Sequence, residues 1–310
     1  MTNAYIQLAR QGRNHWWRYL AGCFFTLFLF IAGGTLTLGL FVAYITNDNN
    51  PNTEVLSPEA VAAGQPFIVG VSPLVLYIVY NLAFPFFLFG LYLSVRFLHR
   101  RPFQTLITST NQISWRRIGQ GFAVYFLLVV IQTAISYALS PQTFALNFRL
   151  WPFLGFLPTV VVLTSLQTST EELFFRGYLL QGIGYRFGKW LAILLPSLLF
   201  MLLHLSNPEV ITQDSWDAVA SLVIYYFMIG AFLAWLTLKD NGLELALGVH
   251  AANNIATFLL VTSDNSAIPS PAIFRISEFE ASFAIVISTA LMLWIFSFIV
   301  FRLLRHPGRD

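Results

Sequence analysis

Long apolar runs separated by polar segments constrain this chain more than any other feature. Eight runs are candidate membrane spans, at approximately 17–45, 68–98, 121–139, 153–183, 190–205, 217–238, 243–262 and 281–304. A helix needs about 20 mostly apolar residues to cross a bilayer. Charged residues make up only 10% of the chain, against about 25% in soluble domains. The sequence therefore predicts an all-α fold, a polytopic membrane helix bundle of about eight transmembrane helices, with residues 1–310 forming a single membrane domain.

Basic residues occur in alternate loops, and this pattern predicts the orientation of the chain. Cytoplasmic loops carry an excess of Lys and Arg. Basic clusters precede run 1, lie between runs 2 and 3, 4 and 5, and 6 and 7, and follow run 8 as Arg302, Arg305 and Arg309. We therefore predict a multi-pass protein of the plasma membrane with both termini cytoplasmic. The segment 100–117, basic at both ends, favours a helix lying on the membrane surface.

The net charge and the cysteine content limit the kinds of partner and of covalent or metal cross-link that the chain can have. The net charge of +3 is small, so we expect no nucleic-acid partner. Cys23 is the only cysteine, which excludes an intrachain disulfide and a Cys-based metal cluster. The predicted partners are the lipid bilayer and a peptide or protein substrate.

Three groups of polar residues interrupt the apolar runs, although a charge in hydrocarbon costs on the order of 3 kcal/mol or more. The stretch TEELFFRGYL in run 4 contains the first group, run 5 ends in a histidine, and run 7 contains a histidine and an asparagine. These residues are Glu171, Glu172 and Arg176, then His204, then His250 and Asn254. Residues that are so costly to bury indicate a functional site.

Counting from the basic ends of the runs predicts that these groups share one depth. Glu171 is 15 residues from Arg186, His204 is 15 from Lys189, and Asn254 is 15 from Lys239. At 1.5 Å per residue, each lies about 22 Å from the basic end of its helix. The sequence therefore predicts one site, built from runs 4 to 7 within residues 153–260.

Helical spacing suggests different tasks within this set. Glu172 and Arg176 are four residues apart, so they share a face and can form an ion pair. Glu171 points about 100° away, which leaves its carboxylate free for chemistry. His250 and Asn254 also share a face, and Phe200 is predicted to lie beside the His204 imidazole.

This residue set predicts hydrolysis without a serine or cysteine nucleophile. A buried glutamate can take a proton from water and return it to a leaving amine. A histidine can hold that water, and a second histidine with an amide can stabilise an oxyanion. Alternatively, Glu171, His204 and His250 can hold a zinc ion. A helical H-E-x-x-H site is absent from the sequence.

Three short motifs resemble a known family. EELFFR matches E-E-x-x-x-R, FMLLH matches F-x-x-x-H, and HAANN matches H-x-x-x-N. In this order they are similar to the CPBP family of CAAX proteases and bacteriocin-processing enzymes, also called Abi. The resemblance implies an eight-helix intramembrane endopeptidase of the glutamate type, and it covers roughly residues 153–260.

The resemblance also implies roles for individual residues. Glu171 with His204 would activate water, and His250 with Asn254 would stabilise the oxyanion. Glu172, Arg176 and Phe200 would support them. No cofactor is favoured, because an asparagine is a poor zinc ligand, and zinc remains the alternative. The implied substrate is a membrane-associated or lipid-modified peptide or protein.

Two other functions remain open from the sequence. Intramembrane Glu, His and Arg residues also serve as proton relays in transporters, although no inverted repeat is visible here. A non-catalytic membrane scaffold or immunity protein is the second alternative.

Overall fold

Helices follow all eight apolar runs in the computed structural model. The structure describes residues 3–48, 50–57, 68–110, 112–263, 266, 268, 270–277 and 279–304. Arg305 and Arg309, part of the predicted C-terminal basic cluster, lie outside the described residues. The helices are α1 Ala4–Gln7, α2 Trp16–Asn47, α3 Pro73–Leu98, α4 Trp115–Leu139, α5 Leu150–Phe187, α6 Lys189–His204, α7 Pro208–Ile211, α8 Trp216–Asp240, α9 Glu244–Leu260 and α10 Phe283–Leu303.

The predicted all-α membrane helix bundle is confirmed, whereas the number of spans stays a prediction. Within the described ranges, six helices are long and apolar enough to cross a membrane: α2, α3, α4, α5, α8 and α10. The other two, α6 and α9, have 16 and 17 residues. The fold is therefore that of a multi-pass integral membrane protein.

Two very small β-sheets form within the connections between the helices. Strands β1 Glu54–Val55 and β2 Ile68–Val69 pair antiparallel. Strand β5 Phe274–Ile276 pairs antiparallel with β3 Ala145–Leu146 and parallel with β4 Val261–Ser263. These strands shorten two predicted runs, because residues 68–69 and 261–263 are extended rather than helical.

Helix α3 therefore begins later than its apolar run, at a local signal. Ser72 accepts a hydrogen bond at Oγ from the Val75 backbone N–H (3.3 Å), and Pro73 occupies the first helical position. Both features are typical of helix N-termini. In contrast, α4 begins at Trp115, six residues before the predicted start at 121. Its first six residues, WRRIGQ, mix polar and apolar side chains, so they are helical but lie outside the purely apolar run.

The prediction of a surface helix over 100–117 is wrong. Among the residues of this segment that the structure describes, a 3-10 turn, Phe103–Leu106, is the one helical element that precedes α4. Arg101 and Leu106 are fully buried, and Thr108 forms a bridge with Gly242. The segment packs into the bundle because its aliphatic and aromatic residues contact the N-terminal residues and α5, which hydropathy does not reveal.

Helix α9 lies at the centre of the bundle. Most of its residues are buried, and it packs against α4, α5 and α8. Two glycines permit the closest approach: a Cβ at Gly248 would lie 2.2 Å from the Ile118 carbonyl oxygen, and one at Gly121 would lie 2.6 Å from the Leu245 carbonyl oxygen. This backbone contact fixes α9, and with it His250, against α4.

Candidate active site

A seven-residue π-helical segment, Leu173–Leu179, follows the two glutamates within α5. It continues directly from Glu172, so α5 runs on through the charged stretch to Phe187. Single π-helical turns inside α-helices occur frequently at functional sites. Here the segment carries Arg176, which turns back towards the glutamates.

Glu172 is the most enclosed carboxylate of the site. Its side chain is fully buried, and Oε1 accepts hydrogen bonds from Arg176 Nη1 (2.6 Å) and His250 Nδ1 (2.8 Å). The predicted ion pair with Arg176 is therefore present. The contact with His250, 78 residues away, was not predicted, since helical spacing relates residues only within one helix.

Arg176 is fully buried and is held from three directions. Besides Glu172, its Nη2 donates to the Gly230 carbonyl (3.3 Å) on α8. Its guanidinium lies 4.4 Å from the centroid of the Phe200 ring, within the range of a cation–π interaction. Arg176 thus joins α5 to α6 and α8.

The contact with Glu172 orients the His250 imidazole. A carboxylate only accepts hydrogen bonds, so Nδ1 of His250 carries the proton. The opposite nitrogen, Nε2, lies 3.6 Å from Glu171 Oε2. Glu172 therefore directs the second nitrogen of His250 towards Glu171.

Glu171 retains one carboxylate oxygen for chemistry. Its side chain is 12% exposed, and Oε1 accepts from Gln167 Nε2 at 3.4 Å. Oε2 is buried and has no hydrogen-bond partner among the described residues. Buried polar atoms normally have a partner in protein or water. Two atoms 3.6 Å apart, Oε2 and His250 Nε2, can share one water about 2.8 Å from each.

His204 packs against Phe200 and keeps its second nitrogen free of that contact. Its Nδ1 donates to the Phe200 carbonyl (2.7 Å), which leaves Nε2 as an acceptor in the neutral ring. The Phe200 ring centroid lies 4.2 Å from that of His204 and 5.9 Å from that of His250. Both imidazoles therefore pack against Phe200, and His250 links this group to Glu171.

Asn254 is the predicted site residue with the weakest connection to this group. Its Oδ1 accepts from Asn253 Nδ2 (3.1 Å), which leaves its own Nδ2 as a donor. Across the described ranges, no hydrogen bond joins Asn254 to Glu171, His204 or His250. It lies one helical turn beyond His250 on α9.

The structure adds residues that the sequence analysis missed. The Tyr226 ring packs against His204, with centroids 4.6 Å apart. Its hydroxyl donates to Glu209 Oε1 (2.5 Å), which also accepts from Asn207 Nδ2 (2.9 Å). Glu209 lies on the short helix α7, between the predicted runs 190–205 and 217–238, so no sequence spacing connects it to α8. Gln167 was also missed, although its i, i+4 spacing to Glu171 could have indicated it.

Zinc ligation by Glu171, His204 and His250 stays the alternative that the sequence left open. Where the structure describes the chain, no group of three or more His, Cys, Asp or Glu side chains is arranged to hold a metal ion. The Nδ1 atoms of both histidines are engaged by Phe200 and Glu172, which leaves their Nε2 atoms available to an ion or a water.

Comparisons with known proteins locate this site in a family. Residues 150–256, which include every predicted site residue, match the model described as type II CAAX prenyl endopeptidase Rce1-like. The whole chain is similar to the uncharacterized protein YyaK of Bacillus subtilis (strain 168), at 32% identity over 294 residues, or 92% of this chain and 93% of that one. No solved structure matches the chain.

Proposed function

Because the chain belongs to the Rce1-like type II CAAX prenyl endopeptidase family, we propose that it is an intramembrane endopeptidase that hydrolyses a peptide bond of a membrane-associated or lipid-modified substrate. The observation that carries this proposal is the unpartnered Oε2 of Glu171, which faces His250 Nε2 at 3.6 Å. A carboxylate oxygen without a protein partner can take a proton from a bound water.

Glu171 is the general base in this proposal, and His204 is its partner. The water donates one proton to Glu171 Oε2 and a hydrogen bond to His204 Nε2, and its oxygen attacks the carbonyl carbon of the peptide. The C–N bond breaks as Glu171 returns the proton to the leaving nitrogen. The products are a carboxylic acid and an amine, so atoms and protons balance without a covalent enzyme intermediate.

His250 and Asn254 stabilise the negative charge on the carbonyl oxygen. Since Nδ1 of His250 donates to Glu172, His250 can donate from Nε2 only as an imidazolium. The Nδ2 group of Asn254, one turn away, is the second donor. Preformed donors of this type stabilise an oxyanion effectively.

Hydrolysis is proposed to be metal-free. Glu172 and Arg176 act by positioning His250, and no step requires a cofactor. Cleavage is expected to persist after EDTA treatment, with the rate unchanged. A loss of cleavage that Zn²⁺ restores would contradict this part of the proposal.

Two peptides of the same sequence test the substrate class. One carries a farnesylated cysteine near its C-terminus, and the other carries an unmodified cysteine and a transmembrane anchor. Both are reconstituted with the purified protein, and cleavage is followed by mass spectrometry. We expect cleavage of at least one peptide, and its loss in Glu171→Gln. A protein that cleaves neither would fit the transporter or scaffold alternatives instead.

A further inference from the structure

A cavity of about 740 Å³ opens at the start of α2, and arginines line it. Its lining includes Arg10, Arg13, Arg18 and Arg186, together with His15 and Trp16. No acidic residue lines it within the described part of the chain, and the first acidic residue of the sequence is Asp48. None of these arginines forms an ion pair in the described ranges. The cavity is a concave basic surface without a counter-ion.

Hydrogen bonds hold the cavity wall in place. The backbone N–H of Arg13 donates to the His99 carbonyl (2.8 Å), and His99 Nδ1 bonds to the Arg13 carbonyl (2.9 Å). Asn14 Nδ2 donates to the Gly12 carbonyl (3.1 Å), and Arg18 Nη1 donates to the Leu98 carbonyl (2.5 Å). A wall fixed in this way loses little freedom when a ligand binds.

Two further sources of positive potential lie at the wall. Arg101 is fully buried behind Gly12, where a Cβ on the glycine would lie 2.9 Å from Arg101 Cβ. Its Nη1 donates to Gln181 (2.7 Å), but Nε and Nη2 have no partner in the described structure. In addition, α2 has 32 residues, and its N-cap His15 makes no side-chain capping bond. A helix start of this kind favours an anion.

A separate apolar groove lies further along α2. Phe24, Leu27, Phe28, Ile31 and Leu36 line most of it, and its volume is about 590 Å³. At 100° per residue, Phe24, Leu27 and Ile31 fall within about 80° of Trp16 around the helix, whereas Phe28 and Leu36 lie about 120° and 160° away. Trp16 and Phe24 are eight residues apart, or about 12 Å. One wall of the groove therefore lies on the same side of α2 as Trp16, which lines the cavity.

We propose that the cavity binds the phosphate headgroup of an anionic phospholipid whose acyl chain lies in the groove. The ligand must combine a negative head with an apolar tail, and a soluble phosphate has only the first. Trp16 and Trp17 are both largely exposed beside the cavity, as is typical where a helix crosses the headgroup region. Basic pockets beside transmembrane helices bind such headgroups. This site is separate from the one proposed for hydrolysis.

Binding of defined lipids to the purified full-length protein tests the proposal. Native mass spectrometry measures the apparent Kd for phosphatidylglycerol and for phosphatidylcholine. We expect phosphatidylglycerol to bind more tightly, and the double variant Arg10→Gln/Arg13→Gln to weaken it about 30-fold. The control Arg96→Gln/Arg116→Gln removes the same charge at two exposed positions outside the cavity. It should change the Kd by no more than about twofold.

Two further measurements separate the alternatives. Ala32 also lines the groove, and the variant Ala32→Phe fills it. This variant should weaken the binding of long-chain phosphatidylglycerol but not of its dihexanoyl form, and the comparison does not depend on whether the arginine variants fold. Glycerol phosphate should bind far more weakly than the complete lipid. Equal weakening by the two arginine pairs, or glycerol phosphate binding as tightly as phosphatidylglycerol, would overturn the proposal.

Discussion

Glu171 and Glu172 are adjacent in the chain, but their carboxylates have different surroundings. Glu172 is fully buried and bonded to both Arg176 and His250. Oε2 of each glutamate lacks a hydrogen-bond partner among the described residues, but Oε1 of Glu171 contacts only Gln167, at 3.4 Å, and the Glu171 side chain is 12% exposed. The two residues should therefore respond differently to the same substitution.

The change Glu172→Gln should destabilise the protein by about 3–5 kcal/mol, because it leaves the Arg176 guanidinium buried without its counter-charge. Glu171→Gln should change stability by less than about 1 kcal/mol. Chemical unfolding in detergent measures the free energy of unfolding of both variants. The control is Glu54→Gln, an exposed position on strand β1. Equal losses for the two glutamates would show that Glu172 has no special structural role.

His99 lies next to the basic segment 100–117 and was not among the predicted site residues. It is fully buried, and its Nε2 bonds to the Tyr178 hydroxyl (2.8 Å). Burial and, to a smaller extent, the positive charge of Arg101 together lower the pKa of His99 to about 4. Nothing in the local sequence indicates this, since Tyr178 is 79 residues away.

The low pKa of His99 predicts acid-sensitive stability. The unfolded chain takes up this proton more readily than the folded protein, because the ordinary histidine pKa is about 6.5. Stability from His99 is thus fully present above about pH 6.5 and is lost as the pH falls towards 4. The loss is at most about 3 kcal/mol. The free energies of unfolding of the wild type and of His99→Asn, measured between pH 6.5 and 4, should converge as the pH falls. A constant difference between them would contradict the low pKa of His99.

At the scale of elements, the packing of α9 on α4 controls where His250 lies. Sequence spacing predicted that His250 and Asn254 share a face, but not which helix they meet. Helix α9 has only 17 residues and is surrounded by protein, so hydropathy describes it less well than the lipid-facing helices. Likewise, the sequence indicated that α5 continues past its charges, but its π-helical segment has no local signature.

The change Gly248→Ala should destabilise the bundle by several kcal/mol and lower activity. Its Cβ would meet the Ile118 carbonyl oxygen at 2.2 Å and the Phe122 nitrogen at 2.6 Å, so α4 and α9 must separate. Gly39→Ala in α2 is the matched control, since nothing lies within 4 Å of its Cβ. Thermal unfolding gives the melting temperatures of the two variants, which are compared with that of the wild type. A tolerated Gly248→Ala would contradict the close contact.

At the scale of the whole molecule, hydropathy predicted the bundle because most helices face lipid. The membrane orientation is a separate matter and stays a prediction from basic residues. It requires the loop after α2 and the segment between α3 and α4 to lie on opposite sides.

Cysteine labelling tests this orientation. Asn50→Cys and Gln112→Cys introduce thiols at exposed positions. An impermeant maleimide should label the first on intact cells and the second only after permeabilisation. The wild type, with Cys23 inside α2, is the background control. Labelling of both positions from the same side would reverse the predicted topology of this part of the chain.

The central claim is that Glu171 activates water for peptide hydrolysis, and newly formed peptide termini report on it even when the substrate is unidentified. Membranes from cells producing the wild type, Glu171→Gln or the control Glu54→Gln are compared by quantitative terminal proteomics at equal protein level. New termini should appear with the wild type and with Glu54→Gln, and fall by at least about 100-fold with Glu171→Gln. Undiminished new termini in a folded Glu171→Gln protein would contradict the account.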